Sequence, residues 1–492
     1  MELRVRISDW DAGVPVVMLR KKTAESLGVH PKQRVLVQTI SKKPRQTYAI
    51  VDLFEKVLEP HEIAISAEVR DNLRAKIGQK LEVKLASPPK SLEYIKEKLN
   101  RKDLTEEKIK IIIQDVVNNI LSEAEISLFV SSMYEIGMNF KETIYLIKAM
   151  LAAGQTLSFR GKYVADKHCI GGIPGNRTTP IVVAICASQG MIMPKTSSRA
   201  ITSAAGTSDT VETLARVDFS IKELKKIVEK TNACMVWGGG LGMVSADDKI
   251  ISIEKDLKID PEAQLLASIM AKKLAAGSKY ILIDIPQGNS AKVSIWKALR
   301  LKRKFERIGK YFDVKVKVVI TDGTSPIGRG VGPVLEMIDI LKILDPERRG
   351  PKDLEEKAIF LAGQLFEMTK MCKKGKGKIL AKYALESGKA FKKFKEIIEA
   401  QEGKIKPLQP GKHVYDLIAR SNSSVKKINN QKINLLARAL GCPLDKASGV
   451  YLHRKVGEKV LKGDKILSLY AESKPRLFDG IAYLEREKPV EF

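Results

Sequence analysis

Apolar and charged residues alternate from Met1 to Trp10, the period-two pattern of a strand. The alternation then recurs in two related segments. Val17-Met-Leu and Ile63-Ala-Ile each open a unit that reads strand, short helix, turn, strand. At a constant offset of 46 residues Leu27 matches Leu73, Gln33 matches Gln79, Val35 matches Leu81 and Val37 matches Val83. Beyond Ser87-Pro-Pro-Lys90 the period changes. Ile109, Ile112, Ile113, Val116, Val117 and Ile120 recur at helical spacing, and residues 91–158 read as helical. From residue 160 strands alternate with helices. Ile181-Val-Val-Ala-Ile-Cys reads as a buried helix or strand, Tyr280–Ile285 and Val314–Thr321 as strands, and Ala291–Ile308 as the crossover helix between them. A further helix is predicted over 261–276. Asp260 is placed as its N-cap, Pro261 as its first residue and Gly277 as its stop, with Ser268 and Lys272 sharing one face.

These patterns predict an α/β multidomain chain in four parts. Residues 1–88 form a duplicated β-barrel that resembles the double-psi, AbrB-like kind. Residues 89–160, with the return helix 261–276, form a helical domain. Residues 161–344 form an α/β domain with a mostly parallel sheet. Residues 345–492 form an α+β domain ending in a glycine-punctuated module. Its Val456-Gly-Glu-Lys-Val-Leu-Lys-Gly-Asp run resembles a barrel-sandwich and reads as structural.

Composition narrows the function classes. No apolar run approaches the roughly 18 residues of a membrane span, and the alternating start is not a signal peptide. The five cysteines show no C-x-x-C pairing, which argues against zinc or a disulfide framework and fits the cytoplasm. The formal charge of +28 comes from 86 Lys and Arg against 58 Asp and Glu. It fits an anionic substrate drawn to a basic cleft, or a lysine-rich surface of the thermophile kind. No aromatic-interleaved motif supports nucleic-acid binding, which stays as the non-enzyme alternative.

Candidate chemistry gathers in two loops. Residues 166–176 read Asp-Lys-His-Cys-Ile-Gly-Gly-Ile-Pro-Gly-Asn. Glycines let backbone N–H groups approach an anion and a lysine adds charge, yet the order is neither a Walker loop nor G-x-G-x-x-G. Residues 196–210 carry eight hydroxyl side chains, one Arg and one Gly, a set suited to phosphate and ribose oxygens.

With these residues in view the chain resembles the thymidine/pyrimidine-nucleoside phosphorylase family. The resemblance rests on Lys167-His168 before Gly171-Gly172, on Ser197-Ser198-Arg199 leading to Gly206-Thr207-Ser208-Asp209, on Ala267–Lys273, and on Thr321–Gly332. It covers residues 90–492. Three departures point to the archaeal branch that acts on AMP. The loop 173–177 is a residue longer, the segment 254–260 lacks an arginine, and Lys292 replaces an apolar residue. That branch cleaves nucleoside 5′-monophosphates (AMP, with CMP and UMP unranked) with inorganic phosphate. It implies no cofactor, no metal, no nucleic-acid or membrane partner, and a homodimer or larger homo-oligomer.

The resemblance also assigns roles. Lys167, Thr179 and Ser197 take the attacking phosphate. Gly172, Ser198, Arg199, Ala200, Ile201, Thr202, Ser203, Thr207, Ser268 and Lys292 take the nucleotide, with Lys272 as a further candidate. Asp260 is the general acid to the leaving base, and His168 is the rival acid. An N-cap aspartate normally stays ionised, so the choice between these two stays open. A nucleoside phosphorylase without 5′-phosphate recognition is the alternative enzyme.

Overall fold

The computed structural model describes residues 1–200 and 203–492. It divides into two compact units, Met1–Gly154 with Ser245–Ser268, and Gln155–Val244 with Ile269–Phe492.

The first unit begins with a closed six-stranded barrel in the order β1-β5-β2-β4-β3-β6. Its elements are β1 (Glu2–Ile7), β2 (Val16–Leu19), α1 (Lys21–Leu27), β3 (Arg34–Thr39), β4 (Gln46–Leu53), β5 (Glu62–Ile65), α2 (Ala67–Leu73) and β6 (Lys80–Leu85). Every second side chain of β1 and β3 is buried, as the alternation requires. The strand–helix–strand elements from Val16 and from Glu62 begin and end at matching positions. At the end of α1 Gly28 turns left-handed at φ +66°, and at the end of α2 Arg74 takes the same turn at φ +52°.

Four helices follow: α3 (Lys90–Leu99), α4 (Glu106–Val117), α5 (Glu123–Glu135) and α6 (Phe140–Ala152). Ser122 with Glu125 and Asn139 with Glu142 close capping boxes at the starts of α5 and α6. Glu142 also receives the Lys98 ammonium at 2.8 and 3.0 Å and the Leu104 N–H at 2.9 Å, all buried. A buried ion pair holds only when its remaining valences are met, and here backbone donors meet them. Arg34 of β3 donates to Glu125 of α5 at 2.8 Å and so joins barrel to helices.

The second unit starts with β7 (Ala165–Cys169), α7 (Thr178–Ser188), β8 (Met193–Ser197), α8 (Thr207–Val211), α9 (Ile221–Thr231) and β9 (Ala233–Trp237). The run Ile181–Cys186 is a helix, not a strand. It is apolar on every face because α7 is buried all round. The chain continues as α10 (Ser245–Leu257), which falls in the first unit, and α11 (Glu262–Ala275). It then adds β10 (Tyr280–Gln287), α12 (Ile295–Tyr311) and β11 (Lys315–Asp322). The crossover helix starts at Ile295, four residues later than the pattern predicted. Ser294 caps it by accepting from the Lys297 N–H, which leaves Ala291 and Lys292 in the loop before it.

All paired strands here run parallel. β11, β10 and β7 form one ribbon, β8 and β9 another, and a parallel bridge from Val164 to Ile192 links the two. The order is therefore β9-β8-β7-β10-β11, as doubly wound sheets are ordered. The C-terminal residues add an antiparallel sheet in which Gly330–Val331, Gly449–Leu452, Lys465–Ala471 and His413–Ile418 pair in turn. Among the described residues no helix is long and apolar enough to cross a membrane.

Candidate active site

Successive strands run outward from β7 in one direction through β8 and β9, then from its other side through β10 and β11. The switch point thus lies between β7 and β10, where the loops after the two strands part. In open α/β sheets a ligand crevice forms outside the carboxyl ends of the strands at such a point. The loop after β7 is the glycine loop, and the loop after β10 carries Lys292. The structure brings them together. A Cβ at Gly172 would lie 3.0 Å from the Lys292 Cβ and 3.1 Å from its backbone nitrogen. Gly172 also has φ +93°, so only glycine fits on both counts.

Beneath these loops sits a cluster of buried charge. The Asp166 carboxylate binds the Lys195 ammonium at one oxygen and the Lys273 ammonium at the other, each at 2.9 Å. Lys195 also donates to the Lys167 carbonyl at 2.9 Å. Lys167, fully buried, donates to the Thr178 hydroxyl at 2.7 Å and to Thr179 at 3.4 Å, in the first turn of α7. Lys357 faces Asp284 at 3.2 Å, and Thr321 donates to the same aspartate at 2.6 Å. Three lysines thus bind two carboxylates, and a fourth, Lys167, is held by threonine hydroxyls. Burial pushes both Lys167 and Lys273 down from the ordinary lysine value. An anion arriving at this edge reverses that penalty, because opposite charge favours the ammonium form.

His168 shows the same field from the other side. Burial first, then the charges of Lys273, Lys195, Lys167 and Lys272, hold it well below the ordinary histidine value. It is a neutral imidazole where most histidines begin to titrate.

The second loop is held by carboxylates. Asp209 accepts the Ala200 N–H at 2.7 Å and the Gly206 N–H at 2.8 Å, closing the loop on itself. Ser197 and Ser208 share a hydrogen bond of 2.8 Å at its base, and the Ser203 hydroxyl donates to Ala205. The Arg199 guanidinium makes two bonds to Glu212, at 2.7 and 2.8 Å, lies near Asp209 and stacks on Trp237. Its hydrogen bond holds Glu212 down at about 2. The Arg199 side chain is therefore committed within the protein. Ser198 is exposed, and Ile201 and Thr202 lie outside the described residues. Arg177, absent from the sequence-derived set, donates to Glu336 at 2.6 Å, to Thr207 at 3.2 Å and to the Ala205 carbonyl at 2.6 Å. It ties the glycine loop to the hydroxyl loop.

α11 begins at Glu262 in the first unit, and the Leu265 N–H donates to the Pro261 carbonyl. Asp260 stands two residues before the helix, partly buried. The Ser268 hydroxyl donates to Asp247 at 3.0 Å, and Gln264 donates to the other oxygen at 3.0 Å. Asp247 is buried and was not among the sequence-derived candidates. Lys272, on the next turn, adds to the positive field on His168.

Residues 92–154 match the glycosyl transferase family helical bundle domain, and residues 424–486 the pyrimidine nucleoside phosphorylase C-terminal domain. Anthranilate phosphoribosyltransferase from Thermus thermophilus is similar in fold, with a TM-score of 0.53 at 16% identity over 63% of this chain and 99% of that one. The Saccharomyces cerevisiae enzyme, in complex with PRPP and Mg, gives 0.53 at 13% identity over 64% of this chain and 98% of that one. The two domain matches, together with the full-length relatives, define an enzyme of the phosphorylase and glycosyltransferase class. An AMP phosphorylase from Pyrococcus furiosus is 43% identical over 100% of this chain and 97% of its own length. One from Methanococcoides burtonii is 39% identical over 99% and 97%. The chain belongs to the AMP phosphorylase family.

The His168 environment gives a direct test. A histidine kept neutral when folded takes up a proton on unfolding, so it opposes folding below pH ~6.5 and contributes nothing above. Nitrogen-15 NMR of the labelled histidines, with His168→Gln for assignment, is expected to show a ring that stays neutral as pH falls through the ordinary histidine value. Half-protonation near pH ~6.5 would refute the buried positive field.

Proposed function

We propose that the protein cleaves AMP with inorganic phosphate, giving adenine and ribose 1,5-bisphosphate, with CMP and UMP as further candidate substrates. The observation that carries this reading is the excess of buried ammonium charge at the switch point, with Lys292 packed against Gly172. It stands in a chain similar over its full length to proteins named AMP phosphorylase.

In this mechanism Lys167, Thr179 and Ser197 hold the attacking phosphate. Its oxygen forms a bond to C1′ as the bond from C1′ to the base nitrogen breaks, through an oxocarbenium-like state. The electron pair goes to the base, and Asp260 supplies the proton the base must receive. His168 serves as a neutral orienting group, since its field suppresses the imidazolium an acid would need. Gly172 and the run Ser198, Arg199, Ala200, Ile201, Thr202 and Ser203 hold the nucleotide, together with Thr207 and Ser268. Arg199 acts there through its backbone, because Glu212 occupies its guanidinium. Lys292 meets the 5′-phosphate, and Lys272 adds positive charge. Positioning and fixed charge carry most of the rate enhancement. Inorganic phosphate is a co-substrate, and the scheme invokes no resident cofactor. The N-terminal barrel, of the double-psi kind, and the C-terminal barrel-sandwich-like module serve structure and assembly, in a cytoplasmic homodimer or larger oligomer.

Two mutant sets test the roles. Lys292→Met is expected to lower kcat/KM for AMP by roughly 10–150-fold, the worth of one charge-assisted contact, and to leave adenosine cleavage little changed. Lys167→Met is expected to impair both substrates. An equal loss on AMP and adenosine in Lys292→Met would contradict the 5′-phosphate role.

Asp260→Asn is expected to lose ~10²–10⁴ in kcat with an unchanged melting temperature. Normal turnover by Asp260→Asn beside an inactive His168→Asn would move the acid to His168.

A further inference from the structure

The C-terminal module reaches back to the loops at the carboxyl edge through one helix, Asn430–Ala439. Asn430 and Asn434 lie four residues apart on that helix and so share a face. Both are buried, at 0% and 5% exposure. The Asn430 amide donates to the Gly323 carbonyl at 2.8 Å, in the loop after β11, and to the Ser290 hydroxyl at 3.0 Å, in the loop after β10. The Ser290 hydroxyl in turn donates to the Thr324 carbonyl at 3.1 Å. The Asn434 side-chain oxygen accepts the Ala204 N–H at 3.2 Å, in the hydroxyl loop after β8. One helix face therefore touches three of the loops at the edge, on both sides of the switch point.

The chemistry fixes how Asn430 is turned. A backbone carbonyl only accepts, so the nitrogen and not the oxygen must face Gly323. Among the described residues the buried Asn430 oxygen has no hydrogen-bond partner. An orphaned acceptor costs free energy, and an apolar residue of similar size would avoid that cost. What the amide supplies is its two donors, both aimed at loops. The turn they hold is tight. Ala291 N–H closes on the Gly288 carbonyl at 3.0 Å, and Lys292 follows directly. On the other side of this turn Gly172 leaves no room for a Cβ.

We propose that Asn430 is a positioning residue for nucleotide recognition: it fixes the Ser290–Lys292 turn from the C-terminal module, and so places the ammonium that meets the 5′-phosphate. This rests on the role given to Lys292 above. Asn430 touches no substrate and acts only through the turn. Its loss therefore appears in the binding of nucleotides and not in chemistry common to nucleotides and nucleosides.

The test uses the full chain with Asn430→Leu, which removes both donors at similar volume, and Ser290→Ala, which cuts one link and leaves Gly323 held. Steady-state kinetics with AMP and with adenosine are run at saturating phosphate, with Lys292→Met alongside. Asn430→Leu is expected to raise KM for AMP about 10-fold and Ser290→Ala about 3-fold, the loss of one or two hydrogen bonds. In both, kcat for AMP and kcat/KM for adenosine are expected to stay within about 2-fold of the parent. An equal loss on both substrates, or an unchanged KM for AMP, overturns the proposal. Should Asn430→Leu fail to fold, Ser290→Ala decides by the same criterion. If Lys292→Met separates the substrates and these variants do not, Asn430 does not position the turn. If Lys292→Met fails to separate them, the reading of Lys292 falls and the proposal falls with it.

Discussion

A buried carboxylate between two lysines is the interaction on which the second unit depends. Asp166, fully inside the protein, is bound by Lys195 from β8 and Lys273 from α11. Removing either partner of such a group leaves a buried charge uncompensated, which costs several kcal/mol (~3–5). The arrangement fixes the adjoining residues of β7 as well. Lys195 grips the Lys167 carbonyl, and Lys167 reaches the first turn of α7. Strand, glycine loop and helix are thereby held in one geometry, with positive charge in excess at the place where parallel strands end.

That excess has a use only if an anion reaches it, and the glycine loop provides the approach. Gly171, Gly172 and Gly175 all have positive φ, so the chain turns back sharply after β7. Gly175 packs so closely on Ile327 and Gly330 that a Cβ would meet backbone oxygens at 2.1 and 2.9 Å. The loops are then braced from behind by the C-terminal residues. Lys446 binds Glu212 at 2.9 Å, and Arg329 donates to the carbonyls of Leu452 and His453. A rigid edge of this kind suits a reaction whose rate comes from positioning rather than from covalent chemistry.

Much of this was legible in the sequence where the signal is local. The 46-residue offset between Leu27 and Leu73 reappears in the bounds of α1 and α2, because alternation and short helices depend on near neighbours. The two polar loops were legible because glycine and hydroxyl residues cluster in them. The rest was hidden by distance along the chain. Asp166 and Lys195 lie 29 residues apart, and Asn430 and Gly323 lie 107 apart. Single lysines and asparagines carry no pattern of their own. The resemblance places Arg199 among the residues that hold the nucleotide, and in the structure its guanidinium bonds Glu212 and lies over Trp237, a pairing that no local pattern announces. Asp247 had no signal beyond a first-turn acidic residue, although it receives both Ser268 and Gln264.

The central claim is that inorganic phosphate, drawn to the charged edge, attacks the sugar carbon itself. Reaction of AMP with phosphate labelled in its oxygens by oxygen-18, followed by phosphorus-31 NMR, tests this directly. The account predicts a sugar product with two phosphorus resonances, the C1 phosphate carrying the label in its bridging oxygen. Ribose 5-phosphate with a single unlabelled resonance would show that water attacks instead, and would contradict the account.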